Sequence, residues 1–155
     1  MKQIFCFESR IGKLWLAEDA GALTDISFAD DVKGEVSDGN TPLLQAAVCQ
    51  LQEYLQGTRT VFSLPLSLPG TPFQQQVWQA LQQIPYGETR TYGQIAAMIG
   101  NAKASRAVGM ANHNNPVAIV VPCHRVIGAD GSLTGYSAGL ALKKKLLALE
   151  GIQID

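Results

Sequence analysis

The amino-acid sequence predicts an α+β fold in which a small N-terminal antiparallel sheet with a helix is joined to a mostly helical C-terminal part. Three observations predict this fold. Short segments rich in aromatic and branched residues alternate with turn residues at the start of the chain. A stretch with three prolines, SLPLSLPGTPF, then interrupts the pattern. Beyond it, apolar residues recur at helical spacing.

The composition is that of a globular protein. The chain has 155 residues, of which 46% are hydrophobic and 16% are charged, and this excludes a disordered chain. It shows no signal peptide and no run of roughly 20 apolar residues, so we expect a cytoplasmic protein with no membrane segment. The three cysteines, Cys6, Cys49 and Cys123, are widely spaced and form no C-x-x-C pair. We therefore expect free thiols, no bound metal and no cofactor.

The N-terminal elements follow from local signals. Segments 3–8, 13–18 and 22–28 are predicted strands, because glycine and aspartate separate them. Thr41 is a predicted N-cap with Pro42 at the first helical position, and apolar residues at helical spacing continue to Gly57. Cys6 in the first strand and Cys49 in this helix are interpreted as small apolar residues of the core or its boundary.

The proline-rich stretch is interpreted as an extended linker with a boundary near Leu68, which divides the chain into residues 1–68 and 69–155. The first part has five basic and nine acidic residues, and the second has seven basic and four acidic. A polyanion would therefore prefer the second part, although the asymmetry is modest.

The second part is predicted to contain a helix over residues 73–84 and then two short helices. Thr91 and Gln94 form a predicted capping box that begins the first of the pair, and Asn101 is the expected N-cap of the second, over residues 102–112. Two short helices joined by a Gly-Asn turn have the form of a helix-turn-helix, but an ordinary helical hairpin has the same pattern. The second helix is rich in small residues, so it can lie close to a nucleic-acid backbone and carries few groups able to read bases.

Residues 116–121 are a continuous apolar run that predicts a buried strand, and the motif Pro122-Cys123-His124-Arg125 follows it directly. A final helix is expected from Ala138 to Leu149, with Gly151 closing it. The lysine triplet at 143–145 within this helix is interpreted as a solvated face.

The Cys-His pair predicts nucleophilic chemistry. Neighbouring side chains of a strand point to opposite faces, so Cys123 and His124 can cooperate only where the strand has ended, and Pro122 is a reason for it to end there. An imidazole beside a thiol can take its proton and supply a reactive thiolate. Such a histidine needs an orienting partner, and Glu150, at the unfavourable C-terminal end of a helix, is the candidate. The motif alone fits a reactive thiol or a buried structural one.

The sequence resembles the O6-alkylguanine-DNA alkyltransferase family, also called the methylated-DNA–protein-cysteine methyltransferases. The resemblance is carried by Pro122-Cys123-His124-Arg125-Val126, by Arg106-Ala107-Val108-Gly109 and by Asn115-Pro116, and it covers residues 70 to 151. It implies a ribonuclease-H-like structural domain over 1–68 and a DNA-binding and catalytic domain of the winged helix-turn-helix type over 69–155.

The resemblance implies direct repair in a single turnover. Cys123 would displace the alkyl group from O6 of a flipped-out guanine and keep it as a thioether, with O4-alkylthymine as a further substrate class. His124, through a water, and Glu150 would polarise the thiol, and Asn115 would support the turn around it. Tyr92 would protonate the departing guanine. The implied partner is double-stranded DNA bearing O6-alkylguanine, and the protein is expected to act as a monomer.

The implied contact residues lie in two places. Arg106 would fill the gap left by the extruded base, and DNA would also contact the neighbouring residues Lys103, Ala104 and Ser105 as well as Tyr92. Tyr136, Ser137 and Ala138 would line the base pocket. Ala138 stands where the family pattern has glycine, which bears on the size of the alkyl group that the pocket admits.

Three other functions compete with this one. A non-catalytic damage sensor would carry another residue in place of Cys123. A cysteine hydrolase built on Cys123, His124 and Glu150 would regenerate its thiol and would have no use for Arg106. A transcription factor would need a separate regulatory domain.

Overall fold

The computed structural model describes residues 2–28, 41–136 and 138–154. The chain forms two compact units. One comprises Met1–Pro69 with Pro116–Ala118, and the other comprises Gly70–Asn115 with Ile119–Asp155. The predicted α+β fold, with a small N-terminal antiparallel sheet and a mostly helical C-terminal part, is confirmed.

The first unit contains a three-stranded antiparallel sheet in the order β1-β2-β3. The strands are β1 (Gln3–Ser9), β2 (Gly12–Asp19) and β3 (Ala22–Ser27), which confirms the three predicted strands. Asp19 pairs with Ala22 across a tight turn, in which Ala20 and Gly21 both have positive φ, as this type of hairpin requires.

Helix α1 (Pro42–Leu55) begins as predicted, because the Thr41 side chain accepts a hydrogen bond from the Leu44 amide at 3.1 Å. Leu44, Ala47 and Leu51 recur at helical spacing and are buried against the sheet. Cys49 is exposed on this helix, so its interpretation as a core or boundary residue is wrong, whereas Cys6 is half-buried.

Two segments from outside the sheet pair with β3. Leu66 forms a parallel bridge with Leu23, and Val117 forms one with Ile26. The first pairing places part of the proline-rich stretch on the edge of the sheet, so this stretch is not wholly a linker. The second pairing is an isolated bridge, and residues 116–121 do not form the predicted strand.

The reason lies at Ile119, whose φ of 73° is in the left-handed region. A β-branched residue adopts this region rarely, and one such residue ends the regular pleat of a strand. Alternate residues of the run, Val117, Ile119 and Val121, are nevertheless buried. The apolar pattern thus predicts the burial of these residues correctly, but the strand that it predicts is not formed.

The second unit is built mainly from four helices. They are α2 (Pro72–Leu81), α3 (Tyr92–Met98), α4 (Ser105–His113) and α5 (Leu140–Leu149). A short parallel pair joins β4 (Arg90–Thr91) to β5 (Val126–Ile127). Helix α2 ends three residues before the predicted end, and Ile84 is buried in the turn that follows.

Helices α3 and α4 form the expected helix-turn-helix pair and pack on each other. The predicted capping box is confirmed, since Thr91 accepts from the Gln94 amide and the Gln94 side chain accepts from the Thr91 amide. Gly100, with φ of 79°, ends α3. Helix α4 begins at Ser105 rather than after Asn101, because the Asn101 carbonyl closes a turn with the Ala104 amide.

No helix within the described residues is both long enough and apolar enough to cross a membrane.

Candidate active site

The Cys-His-Arg motif lies on a single 3₁₀ turn, Cys123–Arg125, which begins after Pro122. The Arg125 amide donates to the Pro122 carbonyl at 3.0 Å and closes this turn. A 3₁₀ helix has about three residues per turn, so three successive side chains point in three directions. All three are buried, with Cys123 4% exposed, His124 0% and Arg125 7%.

His124 and Arg125 both reach the carboxylate of Glu150, which is the C-cap residue of α5. The imidazole Nε2 donates to Glu150 Oε2 at 2.7 Å, and the guanidinium donates through Nε to Oε1 at 2.8 Å and through Nη2 to Oε2 at 3.1 Å. The Gly87 amide donates to Oε1 at 3.0 Å. The carboxylate therefore accepts four hydrogen bonds, and a charged partner compensates for its place at a helix C-terminus.

These contacts settle the charges of the cluster. Burial raises the pKa of Glu150, but the hydrogen bonds from His124 and Arg125 outweigh it and lower that pKa to about 2. Burial, together with the charges of Arg125 and Lys143, lowers the pKa of His124 against the opposing effect of Glu150, so the imidazole is neutral at pH 7. Because Nε2 carries a proton and donates it in the hydrogen bond to the carboxylate, the unprotonated Nδ1 is the basic nitrogen of His124.

The thiol of Cys123 has a different environment. Burial raises its pKa, and hydrogen bonds to Asn115 and Tyr136, together with the charge of Lys143, only partly oppose this. The resting protein therefore holds a neutral thiol. A buried anion lacks the solvation that a thiolate needs, so the activation of this sulfur by His124 stays a prediction.

Asn115 connects the thiol to the loop before it. Its Nδ2 donates to the Val121 carbonyl at 2.8 Å, while its side chain also hydrogen-bonds the thiol. Ile119, with its left-handed φ, lies in this loop. Asn115 thus spans a strained segment directly beside the sulfur.

Lys143 corrects another sequence interpretation. The sequence predicts a solvated face at lysines 143–145, but Lys143 is 0% exposed, whereas Lys144 and Lys145 are exposed. Its ammonium donates to the carbonyls of Val126 at 2.6 Å, Thr134 at 2.7 Å and Gly135 at 3.4 Å. Burial lowers the pKa of Lys143 to about 8, so it stays mainly charged at pH 7. Lys143 is thus a cation near the thiol, and its hydrogen bonds hold the loop before α5 in place.

The loop before α5 also contacts Tyr92, the first residue of α3. Thr134 donates its hydroxyl to the Tyr92 oxygen at 3.0 Å, which leaves the phenol's own proton available to another acceptor. Tyr92 and Tyr136 line a cavity of about 120 Å³ together with Gly109, Asn112, His113 and Gly135. Ala138 is half-buried and is not one of the described residues that line this cavity, and Ser137 lies outside the described residues.

The predicted DNA-contacting residues lie at the start of α4. Arg106 is exposed in the first turn of the helix, and Met110, one turn further along, is 63% exposed. Ser105 is the first residue of α4 and is half-buried, whereas Lys103 and Ala104 lie in the preceding turn. This surface combines a cation with an exposed apolar side chain.

Two family profiles match the chain. The profile described as 6-O-methylguanine DNA methyltransferase, DNA binding domain, matches residues 72–152, and that of the ribonuclease-like domain matches residues 5–68. The chain is 54% identical to the methylated-DNA–protein-cysteine methyltransferase of Methanosarcina acetivorans, over 94% of this chain and 96% of that protein. The chain belongs to the 6-O-methylguanine DNA methyltransferase family.

Solved structures of 6-O-methylguanine DNA methyltransferases have the same fold. The O6-methylguanine methyltransferase of Mycobacterium tuberculosis is 46% identical and superposes with a TM-score of 0.88, covering 97% of this chain and 93% of that one. A structure of the M. tuberculosis OGT in complex with DNA is 48% identical with a TM-score of 0.87, covering 96% and 91%. The predicted family is therefore confirmed.

Sequence reasoning missed three residues of the site. Arg125 is part of the motif, but no local signal connects it to Glu150. Lys143 had a signal, because it precedes the buried Leu146 and Leu147 by three and four residues and so shares their face of α5. Asn112 had a similar signal, since it lies four residues after the buried Val108.

A metal site was not expected. Among the residues that the structure describes, no group of three or more histidine, cysteine, aspartate or glutamate side chains could hold a metal ion. The absence of a metal and of a cofactor stays a prediction.

Proposed function

We propose that this protein repairs DNA by transferring a methyl or other alkyl group from O6-alkylguanine to Cys123, in a single irreversible turnover. The sulfur forms a bond to the alkyl carbon as the bond from that carbon to O6 breaks, and guanine departs. O4-alkylthymine is the further substrate class. Family membership supports the reaction, and the His124–Glu150 hydrogen bond beside Cys123 is the observation that carries the assignment of roles.

The proton of the thiol has a defined destination in this mechanism. Nδ1 of His124 is the acceptor, reached through a water, and the imidazolium formed there is stabilised by the ionised Glu150 at 2.7 Å. Arg125 and the Gly87 amide orient the carboxylate. The sulfur therefore becomes a nucleophile as it attacks, and the neutral resting thiol is spared from other electrophiles.

The leaving guanine gains a proton to match the one that the thiol loses. Tyr92 is the donor, because its oxygen accepts from Thr134 and so its own proton can go to the base. The net reaction converts a thiol and an alkylated base into a thioether and guanine, and it needs no cofactor. Asn115 holds the loop beside the sulfur, and Tyr136, Ser137 and Ala138 belong to the base pocket.

The substrate is double-stranded DNA, and the target base must leave the stack to reach a buried sulfur. Helix α4 is the groove-binding helix, with Arg106 in the gap of the stack and Lys103, Ala104 and Ser105 against the backbone. Contacts of this kind are largely independent of sequence. Residues 1–68 form a ribonuclease-H-like structural domain and residues 69–155 the DNA-binding and catalytic domain. The protein acts as a monomer in the cytoplasm.

The mechanism is tested by incubating the protein with a duplex that contains O6-methylguanine. The peptide that holds Cys123 should gain the mass of one methyl group in a single turnover, and the peptides that hold Cys6 and Cys49 should gain none. Cys123→Ser should abolish transfer, whereas Cys49→Ser, at an exposed thiol, should leave it intact. Repaired DNA with an unmodified Cys123 would contradict the mechanism and favour a hydrolase.

The role of α4 is tested with Arg106→Ala. Capture of the duplex lesion should weaken by about tenfold, the usual order for the loss of one DNA-contacting arginine. Reaction with free O6-benzylguanine, which needs no base flipping, should stay unchanged. Lys145→Ala, which removes an exposed cation from α5, is the matched control. An equal loss on both substrates would place Arg106 in folding or chemistry instead.

A further inference from the structure

The hydroxyl of Thr134 contacts the phenol that the proposed mechanism uses as its acid. Thr134 is half-buried in the loop before α5, and its Oγ1 donates to the Tyr92 oxygen at 3.0 Å. A phenol oxygen can accept one hydrogen bond while its own O–H donates another. Tyr92, which lines the cavity of about 120 Å³, can therefore accept from Thr134 while it donates to a base.

The direction of the Thr134 side chain is fixed by contacts of its backbone and of its methyl group. The ammonium of Lys143 donates to the Thr134 carbonyl at 2.7 Å and to the Val126 carbonyl at 2.6 Å, which ties the loop to β5. The Thr134 methyl lies close to Gly128, where an added Cβ would be only 3.1 Å from Cγ2. Because a β-branched side chain has few χ1 choices, the place of the methyl sets that of the hydroxyl.

The phenol is held by contacts of its own. The Tyr92 ring packs on α4, since an added Cβ at Gly109 would lie 3.7 Å from its Cδ1 and Cε1 atoms. The backbone of Tyr92 begins α3, directly after the capping box of Thr91 and Gln94. The hydrogen bond between Thr134 and Tyr92 thus joins two side chains that the fold fixes separately.

We propose that Thr134 is a positioning residue that makes Tyr92 an effective acid for the departing guanine. This inference rests on the proposed function and adds the residue that supports its proton-donating step. As the Tyr92 proton moves to the base, negative charge develops on the phenol oxygen, and the hydrogen bond from Thr134 stabilises that charge. The same bond leaves the phenol proton for the base, and Lys143 holds the Thr134 backbone in place.

The benefit of this hydrogen bond depends on the base that departs. A base that leaves poorly as an anion needs the proton of Tyr92, whereas a base that stabilises its own negative charge needs that proton less. Loss of the Thr134 hydroxyl should therefore slow transfer from the two kinds of base to different extents. A loss of folded protein would instead lower both rates by the same factor.

The test compares two duplexes that carry the same methyl group, one with O6-methylguanine and one with O6-methyl-8-azaguanine. The additional ring nitrogen of the second base stabilises the departing anion. Thr134→Val keeps the shape of the side chain and removes the hydroxyl, so methyl transfer from O6-methylguanine to Cys123 should slow by about tenfold, the order expected for one hydrogen bond to a developing charge. Transfer from O6-methyl-8-azaguanine should slow less, and the ratio of the two rates should change.

Three further variants complete the test. Thr134→Ser restores the hydroxyl and should keep the wild-type ratio, whereas Thr134→Ala should change it and serves where Thr134→Val does not fold. Thr58→Val is the matched control, because it removes an exposed hydroxyl that donates to the Glu53 carbonyl in the first unit, and it should keep the wild-type ratio.

The two possible failures are distinguishable. A ratio that both Thr134→Val and Thr134→Ala leave unchanged would overturn the role of Thr134 while leaving methyl transfer intact. Absence of transfer from the O6-methylguanine duplex in the wild-type protein would instead refute the proposed function.

Discussion

Cys123 and Glu150 are two acids removed from water in the same unit, and they reach opposite states. Cys123 is 4% exposed and Glu150 is 7% exposed. Burial raises the pKa of both, yet the pKa of Glu150 is lowered to about 2 while that of Cys123 stays raised. Burial alone therefore does not decide the charge of a buried acid.

The partners decide it. Glu150 accepts four hydrogen bonds, two of them from the guanidinium of Arg125, so its negative charge is fully compensated. The thiol has an amide and a phenol as partners, and its nearby cation, Lys143, is shared with three carbonyls. The comparison teaches that this site keeps a permanent carboxylate to stabilise a protonated His124 and a neutral sulfur to release the proton.

The largest expected effect is that of Glu150→Gln. This change leaves the buried guanidinium of Arg125 without its counter-charge, and breaking a buried ion pair in this way costs about 3–5 kcal/mol. The free energy of unfolding, measured by urea denaturation, should fall by that amount, and methyl transfer should slow strongly. Glu88→Gln is the matched control, since its ion pair with Arg90 is exposed and such pairs contribute about 0–1 kcal/mol. Equal losses in the two variants would contradict the account.

Lowering the pH should reduce the stability difference between the wild-type protein and Glu150→Gln. The folded pKa of Glu150, about 2, lies below the ordinary value of 4.5, so its ionisation stabilises the folded state above pH 4.5, and this contribution is lost as the pH falls towards 2. The gap in unfolding free energy between wild type and Glu150→Gln should therefore shrink over that range. A gap that is constant from pH 5 to pH 2 would show that Glu150 has an ordinary pKa.

A smaller effect is expected for Lys143→Met. It leaves the buried carbonyl of Val126 and the part-buried carbonyls of Thr134 and Gly135 without their donor, and one unsatisfied buried group costs about 1–3 kcal/mol. It also removes the cation that lowers the pKa of Cys123, so methyl transfer should slow. Lys144→Met, at an exposed position of the same triplet, should change stability by less than about 0.5 kcal/mol. Two variants of equal stability would show that Lys143 is a surface residue, as the sequence pattern suggested.

The smallest effect concerns the thiols of the wild-type protein. Iodoacetamide at pH 7 should modify the exposed Cys49 before the buried, neutral Cys123, as peptide mass spectrometry will show. Faster modification of Cys123 would mean that its sulfur is already ionised and accessible without DNA.

The features predicted correctly from sequence are those that depend on residues close together in the chain. The three strands, the Thr41 cap and the Thr91–Gln94 capping box each depend on residues a few positions apart. The start of α4 was misplaced because Asn101 is a good N-cap by type, whereas the observed N-cap, Ala104, makes no side-chain cap at all. The apolar run 116–121 failed as a strand because Ile119 has a left-handed conformation that composition does not reveal.

The site divides in the same way. The Cys123 motif and the candidate partner Glu150 were found from residue types and from the position of a carboxylate at a helix end. The ion pair of Glu150 with Arg125 joins residues 25 positions apart, and the burial of Lys143 depends on carbonyls from two other segments. The ionisation of the thiol depends on such distant contacts, so the motif alone does not predict it.

The measurement that tests the account most directly is a pH titration of the Cys123 thiolate in a Cys6→Ser, Cys49→Ser variant, followed by its ultraviolet absorbance. Without DNA, the sulfur should ionise only above the ordinary thiol pKa of about 8.5. A sulfur that is already half ionised at or below neutral pH would contradict the neutral resting nucleophile, and with it the contrast between Cys123 and Glu150.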